Sequence, residues 1–213
     1  MSRPRKVSDD DVFAAAHRAM TRLGPHELTL AEIASEAGVT AGALVQRFGS
    51  RRGLMIALAE RHAGASGGFI ASLAAQHASH LTAVRAYADC MAGMASSPEA
   101  LARSLAYLQI DLIDPDLRTN LLKQAEATRD GLQKLVAAAI KAGELTKDVN
   151  VRRLTRTIET AITGSLMTWA THQTGPALKW MRDDLDAVLA PWLRKAASGK
   201  RRPATGRSSR ARR

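Results

Sequence analysis

The sequence predicts an all-α protein, with a small N-terminal helix-turn-helix domain followed by a larger helical domain. Hydrophobic residues make up 46% of the chain but aromatics only 4%, so the core must be built from Ala, Leu, Ile and Met, which suit packed helices better than sheets. Apolar residues recur three and four positions apart, with no internal repeat and no alternating stretch of useful length. Caps, glycines and prolines fall where such helices should begin and end.

Met1 to Val7 reads as a flexible basic arm. Ser8 then caps a helix with Asp9, Asp10 and Asp11 in its first turn, the charge sign favoured at a helix N-terminus. Val12, Ala15, Ala16, Ala19, Met20 and Leu23 line the apolar face of this helix, and Gly24-Pro25 ends it. It is placed to brace the segment that follows.

That segment, Thr29 to Phe48, organises the chain. Thr29 and Glu32 have capping-box spacing and open a short helix burying Leu30, Ile33, Ala34 and Ala37. Gly38 stands where this helix must stop in a left-handed residue. Val39 plugs the corner, and Thr40 caps a second helix with Leu44 and Phe48 inward. Two short helices about a glycine turn form a helix-turn-helix, whose second member can enter a DNA major groove. Its outward side suits that role. Thr40, Ala41, Gly42 and Ala43 allow close approach to base edges, while Val45, Gln46 and Arg47 project beside them. Gln can pair with adenine, and Arg with guanine or a phosphate. Arg51 and Arg52 open the next helix, where a phosphate would offset their unfavourable place at its positive end. Thr29 completes the expected DNA-binding set: Thr29, Thr40, Ala41, Gly42, Ala43, Val45, Gln46, Arg47, Arg51 and Arg52.

These residues resemble the TetR-type (tetracycline-repressor-like) transcriptional regulators, whose signature runs close to T-x-x-x-I-A-x-x-A-G-V-S-x-G-x-L-Y-x-x-F-x-S-K-x-x-L. Thr29, Ile33, Ala34, Ala37, Gly38, Val39, Thr40, Gly42, Leu44, Phe48, Ser50, Arg51 and Leu54 fall in that register. The resemblance is specific over the first quarter of the chain; beyond it, only length and helical character agree. Val45 replaces a tyrosine that touches the DNA backbone in the family, and Arg51 replaces a common lysine.

The helix opened by Arg51 runs through Leu54, Ile56, Ala57, Leu58 and Ala59, and Gly64, Gly67 and Gly68 predict a kink or break in it. Ser96-Ser97-Pro98-Glu99 reads as a loop and cap with proline at the first helical position. Asp114-Pro115 ends one helix and starts the next, which stops at Gly143. Asp148 or Asn150 caps a helix to about His172, Gly175-Pro176 breaks it, and Pro191 should kink the last helix.

The resemblance implies that the last two helices pair with those of a second subunit in a four-helix bundle. The residues expected at that interface are Leu154, Ile158, Ala161, Ile162, Ser165, Leu166, Trp169, Leu185, Leu189 and Trp192, although intramolecular packing explains such a stripe as well. It also implies an effector pocket among the middle helices, with Tyr87, Met91, Met94, Tyr107, Leu108, Asp111, Met167 and Trp169 as its residues. Met and aromatic side chains at helical spacing are more often plain core.

The formal charge is +11, which suggests an anionic partner. Seven basic residues and no acidic one lie between Ser198 and Arg213, and Arg3, Arg5 and Lys6 add to the other end. The body between is nearly neutral. The expected organisation is therefore an arm over 1–7, a helix-turn-helix domain over 8–50, an effector-binding and dimerisation domain over 51–197, and a disordered basic tail over 198–213.

Cys90 is the only cysteine, so no internal disulfide forms and a reducing, cytoplasmic setting fits. No signal peptide or membrane span is read. Enzymatic function is disfavoured, since there is no phosphate loop, nucleophile elbow or metal-spaced Cys/His cluster. His77 and His80 could serve a metal only on one helix, and neither cofactor nor metal is expected. The reading is a homodimeric repressor at a palindromic double-stranded DNA operator, released by a small lipophilic effector. An architectural DNA binder is the alternative.

Overall fold

The computed structural model describes residues 7–194; the basic residues before Val7 and the tail over 198–213 lie outside them. Nine α-helices and one short 3-10 turn make up the described residues: α1 (Asp9–Arg22), α2 (Leu30–Ala37), α3 (Ala41–Phe48), α4 (Arg51–Gln76), α5 (His80–Met94), α6 (Pro98–Ile113), α7 (Pro115–Lys141), α8 (Val151–His172), α9 (Ala177–Leu189) and the turn Ala190–Trp192. Their only β pairing is an isolated bridge between Leu145 and Leu193. No described helix is long and apolar enough to cross a membrane.

Side-chain caps fix most helix starts. The Ser8 and Asp11 side chains cap each other's backbone, forming a complete capping box on α1. At α2 only half of the expected box forms. Thr29 accepts from the Glu32 amide at 3.1 Å, while the Glu32 carboxylate turns to Arg22. Ser50, Ser79, Ser97, Asp114 and Asn150 cap α4 to α8 in order, which resolves the last start in favour of Asn150.

Three clusters of buried side chains organise the packing. The first holds Val12, Ala16, Ala19, Leu28, Ile33, Ala34 and Leu44 of the N-terminal helices, with Leu54 and Leu58 of α4 and Tyr107 of α6. Val7 packs against it, so this residue is not part of a free arm. Ala37 and Leu30 are only partly buried at its edge. The second and largest cluster joins the far half of α4 to α5, α7, α8 and α9 through Ile70, Leu132, Val136, Ile158, Met181, Leu185 and Leu189. A third, smaller one groups Ala95, Leu101, Trp169 and Ala177.

Two expected distortions do not occur. α4 runs unbroken through Gly64, Gly67 and Gly68, because α7 packs along it and tertiary burial outweighs the weak helix propensity of glycine. At their crossing, a Cβ on Gly131 of α7 would lie 2.7 Å from the Ile70 side chain; the missing side chain lets the helices approach. Pro191 does not kink α9. The helix ends at Leu189, and the proline sits in the 3-10 turn beyond it.

Candidate nucleic-acid interface and cavity

The helix-turn-helix forms as its residues require. Thr29 and Thr40 each cap a helix, their Oγ atoms 3.1 Å from the amides of Glu32 and Ala43. Gly38 ends α2 at φ +69°, and the Val39 amide donates to the Ala34 carbonyl to close the turn. Leu44 is fully buried and Phe48 is tilted against Phe13 of α1. Behind α3, a Cβ on Gly53 would come within 2.1 Å of the Phe48 carbonyl oxygen. This contact, invisible in sequence periodicity, sets how tightly α3 turns into α4.

The outward side of α3 carries Thr40, Gly42, Val45, Gln46 and Arg47 in exposed positions, with Ala41 and Ala43 partly covered. The basic residues behave differently from the sequence expectation. Arg47 pairs with Asp9, donates to the Val7 carbonyl at 3.0 Å and lies 5.5 Å from the centre of the Phe48 ring. Arg51 turns inward, its Nη1 2.8 Å from the Leu28 carbonyl oxygen. Arg52 forks onto Asp114 at 2.7 and 2.8 Å and reaches Asp116 at 2.7 Å. In this conformation Arg51 braces the loop before α2, and Arg52 ties α4 to the α6–α7 junction.

The carboxyl of Asp114 is held below the usual aspartate range, chiefly by the Arg52 hydrogen bond and then by the amides of Leu117 and Asp116, which outweigh its burial. Asp111, one turn earlier, is pushed up by burial and by the neighbouring Asp114 charge. Asp111 lies beside this junction and is not among the residues that line the cavity among α5 to α8.

A cavity of about 440 Å³ lies among α5, α6, α7 and α8. Three of the eight expected ligand residues line it: Tyr87, Met91 and Met167. Burial, with the charge of Glu159, pushes the Tyr87 hydroxyl up to about 12. The other five lie elsewhere. Tyr107 belongs to the N-terminal core and donates to the Leu23 carbonyl at 3.0 Å. Trp169 is buried in the small cluster and donates to the Gly175 carbonyl. Met94 and Leu108 are exposed, and Asp111 faces Asp114 as described. Leu101, Leu105, Leu121, Gln124, Thr128, Arg129 and Glu159 complete much of the wall. Helical periodicity marks all of these as one-sided, but only the crossing of four helices decides which side is hollow.

The expected interface stripe also moves. Leu154, Ile158, Ile162, Ser165, Trp169, Leu185 and Leu189 are buried within the single chain, and Ala161, Leu166 and Trp192 are half-buried. Ser165 donates to Asp184 at 2.6 Å, joining α8 to α9. Seven of the ten are thus buried inside one chain, and Ala161, Leu166 and Trp192 stay partly open. His77 and His80 do not share a helix either, since one ends α4 and the other begins α5.

Residues 12–58 match the family model of the bacterial regulatory proteins of the tetR family. This N-terminal segment is thus similar to the tetR-family module. No curated protein matches the whole sequence. Solved structures match along most of the chain. A TetR transcription regulator from Haloarcula marismortui is 18% identical, with a TM-score of 0.68, covering 87% of this chain and 98% of its own. SmeT, the repressor of a multidrug efflux pump in Stenotrophomonas maltophilia, is 18% identical with a TM-score of 0.64, over 89% and 92%. FadR from Bacillus subtilis, solved with stearoyl-CoA, is 19% identical with a TM-score of 0.64, over 86% and 98%. At these identities the likeness is one of fold, and it extends the TetR-type architecture to the larger helical domain.

Proposed function

We propose that this chain is a TetR-type regulator, a homodimer that represses transcription from a palindromic operator and is released by a small, lipophilic molecule. The observation that carries the reading is the outward side of α3: Gln46 is exposed beside Gly42 and the small Ala43, so a base edge can approach it. One helix-turn-helix makes few base contacts, and a two-fold dimer doubles them. With most of the apolar stripe buried, the outer side of α8 offers a surface for a partner, where Thr157, Thr168 and Thr171 are exposed at helical spacing.

α6 supports the effector part of the proposal. Leu101 and Leu105 line the cavity. Along the same helix, Arg103 donates to the Thr21 carbonyl at 3.0 Å, Tyr107 enters the N-terminal core, and Asp114 at its end holds Arg52. A ligand that displaces α6 therefore displaces the seat of the helix-turn-helix. Release requires only that it bind the DNA-incompetent arrangement more tightly.

The test is selection of DNA from a random pool, followed by binding measurements with lipophilic compounds present. A selected palindrome, released by a compound that also raises the protein's melting temperature, supports the proposal. Stabilisation without release contradicts the effector, and an unselected pool returns the architectural alternative.

A further inference from the structure

We infer that the cavity takes an amphiphilic anion, with its apolar tail among α5, α6 and α8 and a carboxylate or phosphate headgroup at Arg129, Arg152, Arg153 and Arg156. The inference rests on the effector reading above and narrows it to a ligand class. The apolar end is walled by Met91, Leu101, Leu105 and Leu166. Toward α8 the wall turns polar. Arg129, Glu159 and Thr163 line both this cavity and an adjoining hollow, which Arg156 also lines. Arg129 and Arg156 in turn line a third hollow with Arg152 and Arg153. These shared lining residues set the three hollows side by side, from an apolar end to a guanidinium-lined one.

Charge along these hollows is unbalanced. Glu159 is the only acid lining them, and Arg129 already donates to it at 3.0 Å. Among the described residues, Arg152, Arg153 and Arg156 form no ion pair, whereas Arg52, Arg61, Arg85 and Arg182 each hold a carboxylate. Arg152, Arg153 and Arg156 also sit in the first turns of α8, at the helix end whose dipole disfavours cations. A bound anion relieves both their mutual repulsion and that penalty, and guanidinium forks suit carboxylate and phosphate geometry. The tail supplies burial and the headgroup sets orientation, the usual division in a mostly apolar site with few polar groups.

The experiment is calorimetric titration of the full-length protein with laurate, dodecyl phosphate, dodecanol and inorganic phosphate, all as monomers in solution. The two amphiphilic anions should bind about tenfold or more tighter than dodecanol, a difference of roughly 1.4 kcal/mol. Inorganic phosphate should give no signal at the same concentrations. Arg152→Gln with Arg156→Gln should bring the anions down to the dodecanol level and leave dodecanol unchanged. Arg156→Lys should keep the preference for anions, and Ala125→Trp, which sets an indole at a residue of the cavity wall, should remove all three amphiphiles. The order of laurate and dodecyl phosphate then assigns the headgroup to a free fatty carboxylate or to a phosphate-bearing lipid. Equal binding of dodecanol and laurate, or an unaffected double variant, overturns the inference. Operator release is read separately. If laurate binds as expected but leaves DNA bound, the effector reading fails and the ligand class stands; if dodecanol binds and releases DNA as well as laurate does, the reverse holds.

Discussion

At the scale of single residues, contacts beyond the reach of periodicity divide the labour. Gln46 is exposed on α3, while the neighbouring Arg47 is engaged by Asp9, Val7 and Phe48. Gln46→Ala should therefore cost about 1–3 kcal/mol on the preferred operator and relax preference at one position; binding measured across single-base operator variants checks it, and an unchanged preference moves base reading elsewhere. Gly53→Ala is a packing prediction. Its methyl would meet the Phe48 carbonyl oxygen at 2.1 Å, so it should destabilise the fold by about 1–3 kcal/mol, as overpacking does. Denaturant unfolding reads this directly, and wild-type stability would mean that α3 and α4 shift apart freely. Ile158 offers the contrast. It is fully buried in the large core, so Ile158→Asp should unfold the larger domain and not merely separate subunits. A folded, monomeric Ile158→Asp protein would contradict that placement.

At the scale of elements, the junction of α4, α6 and α7 governs how the helix-turn-helix is seated. Asp114 caps α7 while it holds Arg52 of α4. Its folded-state pKa lies below the ordinary value, so its contribution to stability is present at neutral pH and is lost as pH falls through that lowered range. Glu144 behaves alike: burial opposes its charge, but bonds from Ser79 and from the amides of Leu81 and His80 outweigh it and hold it low. The loss should accordingly begin as pH falls into the ordinary carboxylate range and be complete only below the lowered pKa values. Asp114→Asn should flatten that acid limb while lowering stability at neutral pH, as pH-dependent melting curves would record. An acid limb identical to wild type would remove the Arg52 contact from the account.

Element by element, the sequence was most legible where a local signal decides. Ser8, Thr29, Thr40, Gly38, Pro98 and Pro115 mark helix boundaries through their own chemistry, and the structure places caps or stops at each. It was least legible where the answer depends on which helix lies opposite. Nothing local tells that α7 would hold the glycine-rich stretch of α4 helical, or that Arg52 would find Asp114, 62 positions away. The cavity divides the same way. Tyr87, Met91 and Met167 were found by type, whereas Tyr107 and Trp169, of the same type, fill cores. Arg152, Arg153 and Arg156 had a visible sequence signal, three cations at the start of a helix, but their relation to a hollow did not.

For the molecule as a whole, α6 connects the two working parts, lining the cavity with Leu101 and Leu105 and entering the core behind the helix-turn-helix with Tyr107. This arrangement gives a ligand a mechanical route to the DNA-reading end without any reacting group, which is what a binding switch requires. The central claim is that two copies read a two-fold DNA site through α3. Hydroxyl-radical footprinting on DNA selected from a random pool tests it most directly. The account predicts two protected half-sites related by a dyad and about one helical turn apart, each losing protection in the Gln46→Ala protein. A single unsymmetrical patch, or uniform protection along the fragment, would contradict it.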